Sequence, residues 1–237
     1  MKPPTAMGTI DRRILINYSA DPEIVQHLVP EGLKLHLVNT RAVVGICLIR
    51  LKNIRPKYVP SYLGITTENI AHRIAVEYKQ DGETKTGVYV PMRHTNSYLT
   101  STVGTRIFSG VYKPAKFQVN EKAGHYSVAA ESRDGEISIA IEAEQNENFK
   151  SKLFNNFEEA SDFFKCSPVG FSPDTKGCEL EGVRLIAEGW NMKPLKVSQI
   201  RSSFYDNRDV FPEGTIEFDC GLLMEDLPVT WTPEKGL

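Results

Sequence analysis

The sequence has 237 residues, of which 41% are hydrophobic and 24% are charged. These proportions are typical of a globular protein and exclude the disordered, collagen-like and coiled-coil classes. Lys and Arg number 28 against 30 Asp and Glu, so the chain has no basic excess to neutralise nucleic-acid phosphates, and we expect no nucleic-acid partner.

The sequence suggests a soluble protein in a reducing compartment. Residues 1–8 lack the apolar stretch of a signal peptide, and the most apolar run, residues 42–49, is too short to span a bilayer as a helix. The four cysteines form no Cys-x-x-Cys pair, which is typical of free thiols, although a Cys166–Cys178 disulfide stays open as an alternative. We therefore expect a cytoplasmic protein with no membrane contact, no metal and no other cofactor.

Most of the predicted elements are strands. Residues 13–18 alternate between apolar and polar, and a short helix follows with Asp21 as its N-cap and Pro22 at its first position. The nearly apolar segment 41–51 is typical of a strand that is buried on both faces. Further strands are expected at residues 33–38, 66–79, 83–94, 115–121, 125–131, 136–144, 178–190, 195–204 and 215–224.

Two more helices are predicted, over residues 96–108 and 156–165, the second with an apolar face that includes Phe157 and Phe164. No internal repeat or linker divides the chain, so we expect one domain over residues 1–237. Many strands and few helices indicate an α+β fold of mostly antiparallel strands in a closed or half-closed β-barrel.

A predicted hairpin has its turn at Gln80-Asp81-Gly82. A two-residue turn at Asp81-Gly82 would pair Ile74 with Tyr89 and set the inward face of one strand beside the outward face of the other. A three-residue loop ending at Gly82 pairs Ile74 with Val88 instead, which brings the apolar faces together. The sequence therefore favours the three-residue register.

That register places polar groups on the inward face. Glu68 falls opposite His94, and His72 shares the phase of Ile70 and Ile74. Because a buried carboxylate is costly unless it is paired, two interpretations are open. Glu68 is an acid/base group oriented by His94 or His72 in a pocket, or it has a structural role, in an ion pair or at a strand end that reaches solvent.

Four stretches of the sequence carry loose motifs in a fixed order: Asn17–Leu33, Thr66–Asn69, Gly104–Phe117 and Phe218–Pro228. Together they resemble the acetoacetate decarboxylase-like superfamily, especially its uncharacterised branch. The first is similar to the family's Tyr-Arg-x-Asp-Pro-Glu…Leu-Val-Pro segment and the third to its Gly-Arg-Glu-Ile-x-Gly-x-Pro-Lys-Lys segment. The resemblance implies a highly curved antiparallel barrel around a central pocket.

The resemblance also marks departures from the family. The decarboxylase uses a lysine that forms a Schiff base with the ketone of a 3-oxo acid. If Pro114 matches the motif's proline, that lysine is replaced by Ala115, and Lys116 matches the second lysine. Ser19 stands where the family has an arginine near the substrate carboxylate, whereas Glu68 matches the pocket glutamate.

Strand phase predicts which of these lysines faces the pocket. Ala115 shares a face with Phe117, so Lys116 is expected in solvent. Lys113 would reach the same pocket if the chain stays extended through Pro114, and an alignment shifted by one residue would also restore a lysine.

Two arginines are candidate cations for an acidic ligand. Arg106 lies in the third resembling stretch and is expected to contact the ligand, whereas Arg93 alternates outward from Met92 and is expected in solvent. The sequence contains no GxSxG, GxGxxG or HExxH motif, which argues against a serine hydrolase, a dinucleotide site and a zinc protease.

Two functional hypotheses follow. The first is a pocket protein that binds or acts on a small oxo-carboxylic acid or ketone without the Schiff-base lysine, and the alternative is an active decarboxylase or lyase that forms a Schiff base. The candidate catalytic residues are Glu68, Lys116 and Lys113, and the candidate substrate-binding residues are His94, His72, Arg106 and Ser19. An enzyme of this kind would be a lyase or a proton-transfer catalyst, and the family analogy suggests a homo-oligomer.

Overall fold

The described chain folds into one large β-sheet. A computed structural model describes residues 4–97, 110–177 and 179–237. The sheet has thirteen strands: Ala6–Ala20 (β1), Leu33–Leu35 (β2), Leu37–Val38 (β3), Arg41–Pro56 (β4), Ile65–Gln80 (β5), Glu83–Thr95 (β6), Tyr112–Lys122 (β7), His125–Ser132 (β8), Ser138–Gln145 (β9), Val169–Pro173 (β10), Leu180–Ala187 (β11), Met192–Ser202 (β12) and Ile216–Glu234 (β13). The described helices are Pro22–Gln26 (α1), Phe157–Lys165 (α2) and a 3-10 turn at Ser61–Leu63.

The sheet curves until it closes on itself. Nine strands are hydrogen-bonded in the order β6, β7, β8, β9, β12, β13, β1, β4 and β5, and β5 pairs with β6 to complete a ring. Most neighbours are antiparallel, whereas β6–β7 and β6–β10 are parallel. The predicted architecture of mostly antiparallel, strongly curved strands with few helices is confirmed, in the form of a mixed ring rather than a regular barrel.

The β10–β11 hairpin makes a second closure across the outside of the ring. β10 pairs with β6, and β11 pairs with β13. The hairpin and α2 therefore cover the outer face of β1, β4 and β5, so these strands are buried on both faces. This explains the apolar run in β4, where residues 42–48 are all buried.

Two hydrophobic clusters fill the two faces. Ile14 and Ile16 belong to the cluster on the inner face, which draws on strands all around the ring. Leu15 and Ala71 belong to the cluster on the outer face, together with Phe164 of α2. Successive side chains of a strand point to opposite faces, so a shift of one residue decides which cluster a side chain joins.

Both described α-helices begin where the sequence predicts. The Asp21 carboxylate accepts a hydrogen bond from the Glu23 amide at 2.9 Å, and the Asn156 side chain accepts one from the Glu159 amide at 2.8 Å. α2 then buries its apolar face, including Phe164, against the outer cluster. Within the described residues, neither helix is long and apolar enough to cross a membrane.

Three predictions fall outside the described residues. The helix expected over residues 96–108 and the candidate Arg106 lie in the segment 98–109. The alternative disulfide involves Cys178, which also lies outside the described part, while Cys166 is an exposed free thiol.

The β5–β6 hairpin has a different register from the one predicted. Asp81 and Gly82 form a two-residue turn with φ values of 54° and 83°, and Ile74 pairs with Tyr89. Such turns match the twist of the strands that they join. The predicted register was wrong because the strands contain a β-bulge, where the ladder shifts by one residue between His72 and Ile74.

The bulge restores the shared inner face beyond the turn. His94 pairs with Ile70 rather than with Glu68, so His72 and His94 both face inward. Between the turn and the bulge, the side chains of β6 alternate in the opposite phase to the predicted one. Val88 and Val90 therefore line the outer face instead of the inner one.

Candidate functional site

Four charged residues interrupt the apolar inner face. Arg12 pairs with Arg50 across β1 and β4, and Arg50 pairs with Glu68 across β4 and β5, so the three side chains form a row on one face. Glu121 of β7 reaches the same row from across the ring. The ring closure therefore collects two arginines and two glutamates at one place.

These four side chains neutralise one another. Arg12 Nη2 donates to Glu68 Oε2 at 2.6 Å, and Arg50 Nε donates to Glu68 Oε1 at 2.6 Å. Arg50 also donates to both oxygens of Glu121, each at 2.9 Å, and Arg12 donates to Glu121 as well. Burial alone would raise the pKa of Glu121, but the hydrogen bonds from Arg50 and Arg12 outweigh it and hold that pKa below its ordinary value.

Glu68 therefore occupies an ion pair, the second of its two predicted interpretations. Both of its oxygens accept from guanidinium groups, and its backbone N–H donates to the Asn96 side chain at 2.9 Å. The predicted pairing of Glu68 with His94 is wrong because the bulge in β6 moves His94 opposite Ile70.

The two predicted histidines come together deeper on the same face. The His72 and His94 rings are fully buried, with centroids 6.5 Å apart, and the His72 ring packs 5.3 Å from that of Phe204. None of the four ring nitrogens has a hydrogen-bond partner among the described residues. Within the described part of the chain, both ring nitrogens of each imidazole are thus available for a hydrogen bond to a ligand.

Burial determines the charge state of these rings. It lowers the pKa of His72 to about 3, and the neighbouring His94 acts in the same direction. It also lowers the pKa of His94 below its ordinary value. At neutral pH both imidazoles are uncharged, so each carries one N–H donor and one acceptor nitrogen.

Two more inner-face groups lack partners among the described residues. They are Arg12 Nε and the hydroxyl of Tyr18, whose ring stacks 4.7 Å from that of Tyr205. Burial raises the pKa of Tyr18, so its hydroxyl stays protonated and available as a donor. Buried polar atoms are almost always hydrogen-bonded in native proteins, so this concentration favours a polar ligand or ordered water on the inner face.

Lys113 occupies an inward position of β7, but its side chain extends toward solvent and places the amine away from the inner face. The residue pairs with His94 in the parallel β6–β7 ladder. Its ammonium group bonds to Glu136, lies 3.5 Å from Asp134 and belongs to a side chain that is 43% exposed. The hydrogen bond to Glu136 holds the pKa of Lys113 above its ordinary value, so the amine is protonated at neutral pH.

The strand phase predicted for the neighbouring residues is confirmed. Ala115 is buried and faces inward, while Lys116 is exposed. Every lysine in the described parts of the chain is at least partly exposed, and the sequence of segment 98–109 contains no lysine.

Ser19 lies apart from the inner-face groups. It occupies the outer phase of β1, between Tyr18 and Ala20 of the inner cluster, and its Oγ accepts a hydrogen bond from Arg41 Nε at 3.0 Å. The structure thus brings Glu68, His72 and His94 to one face and leaves Ser19 on the other.

Sequence reasoning missed Arg12, Arg50 and Glu121. The signal was present in the strand phase, because Arg12 follows the even-numbered series of Ile14 and Ile16 that faces inward. Among the described residues, no group of three or more His, Cys, Asp or Glu side chains is arranged to hold a metal ion.

Comparison with known proteins places the chain in a family. The profile of the DUF2071 family, described as an uncharacterized conserved protein, matches residues 9–162, which is more than half of the chain. A comparison with curated protein sequences found no match.

Several solved structures share the fold. Acetoacetate decarboxylase from Legionella pneumophila aligns with a TM-score of 0.62 at 12% identity, covering 99% of this chain and 88% of that one. An acetoacetate decarboxylase-like enzyme from Sphingomonas wittichii RW1 gives 0.60 at 11% identity, with coverages of 99% and 94%. The enduracididine biosynthesis enzyme MppR, complexed with pyruvate, gives 0.59 at 9% identity, with coverages of 100% and 90%. The chain belongs to the DUF2071 family and has the acetoacetate decarboxylase-like fold.

Proposed function

We propose that the chain binds a small oxo-carboxylic acid or ketone on the inner face of the ring, without a Schiff-base lysine. The buried, neutral imidazoles of His72 and His94, whose ring nitrogens have no partner among the described residues, carry this proposal. A neutral imidazole N–H donates to a carbonyl oxygen, which needs no charge on either partner. The similar fold of MppR is complexed with pyruvate, a small oxo acid, which supports this class of ligand.

The inner face also offers groups that suit the rest of such a ligand. Arg12 Nε is a buried donor for a carboxylate oxygen, and its bond would be charge-assisted. With ring centroids 6.5 Å apart, His72 and His94 would both contact one three-carbon acid. One imidazole would then polarise the carbonyl while the other accepts a proton from the adjacent carbon, which is general acid–base chemistry.

The second candidate is a Schiff-base lyase that uses Lys113. Its position opposite His94 on the inner strand face favours it. A Schiff-base lysine must be unprotonated, and enzymes achieve this by desolvation or by a nearby cation. The amine of Lys113 has the opposite surroundings, since it is partly exposed and bonded to Glu136. Lys116 points into solvent, so it is a weaker candidate.

Borohydride trapping separates the two candidates. The wild-type chain is incubated with pyruvate or acetoacetate and sodium borohydride, and its intact mass is measured. We expect no adduct on the wild type and an adduct on the A115K variant, which places an amine on the inner face. A wild-type adduct that disappears in K113A but remains in K116A would replace the proposal with the Schiff-base lyase.

Binding of pyruvate gives a second, independent readout. His72→Phe keeps an aromatic ring but removes both ring nitrogens, so we expect pyruvate affinity measured by NMR titration to fall about tenfold. The matched control is His125→Phe, because His125 is 68% exposed on β8, and it should leave the affinity unchanged. Equal affinities for the wild type and His72→Phe would overturn the assignment of the site.

The cytoplasmic location and the homo-oligomer expected from the sequence stay predictions. Light scattering on the purified chain measures its mass in solution and tests the assembly directly.

A further inference from the structure

A partly open cavity of about 280 Å³ lies on the outer face of β1, β4 and β5, beneath the β10–β11 hairpin and the end of α2. The sheet itself separates it from the inner-face histidines, because side chains alternate between faces. Much of its wall is apolar or aromatic, formed by residues that include Ile10, Leu51, Val88, Leu185, Trp190 and Trp231.

The charged side chains around this cavity all have one sign. Among the described residues that line it, four are cationic and none is Asp or Glu: Arg13, Arg73, Arg93 and Lys165. The whole chain has a net charge of −2, so this positive charge is a local feature. A largely apolar cavity whose charged lining residues are all cationic favours an anionic ligand.

Arg73 is the most deeply buried of the four, at 3% exposure. Its guanidinium lies 4.7 Å from the centre of the Phe164 ring, its Nη2 donates to Asn17 Oδ1, and its Nε has no partner among the described residues. A Cβ at Gly45 would overlap the Ile16 carbonyl oxygen and come within 3.2 Å of Arg73 Nη2. Burial lowers the pKa of Arg73, and the charge of Arg13 acts in the same direction.

Arg13 has only weak acceptors around it. Its terminal nitrogens lie 4.0 Å from Met224 Sδ and 3.7 Å from Cys47 Sγ, and its Nε is buried without a partner among the described residues. Arg93, predicted to be in solvent, is half-buried because β10 covers it, and its Nε donates to Ser172 Oγ at 3.0 Å. None of these three arginines forms an ion pair with a described carboxylate.

The cavity is large enough for a compact organic molecule. An apolar cavity of roughly 150 Å³ holds benzene, so about 280 Å³ has room for roughly ten to twelve non-hydrogen atoms. Burying a guanidinium without a carboxylate is costly, and a ligand that brings the carboxylate with it would remove that cost.

We propose that this cavity binds an organic carboxylate with an apolar aryl or branched alkyl body, and that Arg13 and Arg73 hold the carboxylate group. The two guanidinium groups donate to the carboxylate oxygens, while the apolar wall covers the rest of the molecule. This inference does not rest on the proposed function, because the residues involved lie on the opposite face of the sheet and no oxo group is required.

The chain carries its own reporter for this site. Trp190 and Trp231 are its two tryptophans, and both line the cavity. We expect titration with 3-phenylpropanoate to give a saturable change in tryptophan fluorescence. The uncharged analogue 3-phenylpropanamide has the same body and should bind about tenfold more weakly or worse.

Variants assign the effect to the arginines. Arg13 is only partly buried, so Arg13→Gln should fold, and we expect it to weaken 3-phenylpropanoate binding about tenfold. Arg201→Gln, which changes an exposed arginine of β12, and His72→Phe on the inner face should leave the binding unchanged. Equal binding of acid and amide, equal binding by Arg13→Gln and the wild type, or no saturable signal would each overturn the proposal. Loss of pyruvate binding in His72→Phe together with retained 3-phenylpropanoate binding would show that the two sites are separate.

Discussion

The inner and outer faces of β1, β4 and β5 treat buried charge in opposite ways. On the inner face, Arg12 and Arg50 are matched by Glu68 and Glu121. The polar groups there without a partner in the described parts of the chain are mainly neutral imidazoles. On the outer face, Arg73 lies in an apolar cavity with no described carboxylate beside it. The inner arginines are thus paired with carboxylates of the chain, whereas the described residues supply no carboxylate to the outer ones.

Two neighbouring residues show how little separates these environments. Arg12 and Arg13 are adjacent in β1, yet Arg12 enters the ion-pair network and Arg13 lines the outer cavity. The alternation of a strand sends them to opposite faces, and the β10–β11 hairpin keeps the second face out of solvent. The same residue type thus forms ion pairs on one face and lines a cavity without a described carboxylate on the other.

The largest expected effect is a difference in stability between two arginine variants. Arg12→Met leaves the buried carboxylate of Glu68 and the more exposed one of Glu121 with Arg50 alone, so we expect the free energy of unfolding to fall by about 3 kcal/mol. Arg73→Met removes a guanidinium that has no carboxylate, so the change should stay within about 1 kcal/mol even though Asn17 loses a donor. Urea unfolding of both variants measures the difference, and equal losses would contradict the contrast between the faces.

The neutral imidazoles predict acid destabilisation that begins above the range of carboxylate titration. An unfolded histidine has a pKa near 6.5, while burial lowers the pKa of His72 to about 3. Below pH 6.5 the unfolded state binds a proton that the folded state does not, so stability falls as the pH decreases. For His72 alone, the loss between pH 7.5 and pH 5.5 is about 1.4 kcal/mol.

Urea unfolding at pH 7.5 and pH 5.5 checks this on the wild type and on His72→Phe. The variant should lose less stability on acidification because it lacks one of the titrating rings. If both proteins show the same pH dependence, His72 is charged or exposed in the folded state, and the description of the inner face fails.

The smallest expected effect concerns Lys113. Its ion pairs with Glu136 and Asp134 are partly exposed, and such pairs contribute little because water competes for both partners. We therefore expect Lys113→Ala to change the free energy of unfolding by less than about 1 kcal/mol, measured by urea unfolding. A much larger loss would mean that the amine turns inward in solution, which would favour the Schiff-base lyase.

Much of the fold was predictable because strand phase and capping are local properties. The apolar run of β4, the cap at Asp21 and the apolar face of residues 156–165 identified their elements correctly. The register of the β5–β6 hairpin was not predictable in this way, because the bulge beside His72 depends on how two strands meet.

The candidate site was also only partly predictable from local properties of the sequence. Phase placed Glu68, His72 and His94 on one inward face, but the partners of Glu68 come from β1 and β4. Glu121 of β7 shares those two arginines, and only the ring closure brings it beside them. The outer cavity was not expected at all. The outward phase of an arginine such as Arg93 predicts a solvated side chain unless the covering hairpin is known.

A crystal structure of the chain with pyruvate tests the central claim most directly. We expect pyruvate on the inner face, with its carbonyl oxygen within hydrogen-bond distance of a ring nitrogen of His72 or His94 and with no covalent bond to the protein. A covalent bond between pyruvate and Lys113, or an inner face that holds only water at saturating pyruvate, would contradict it.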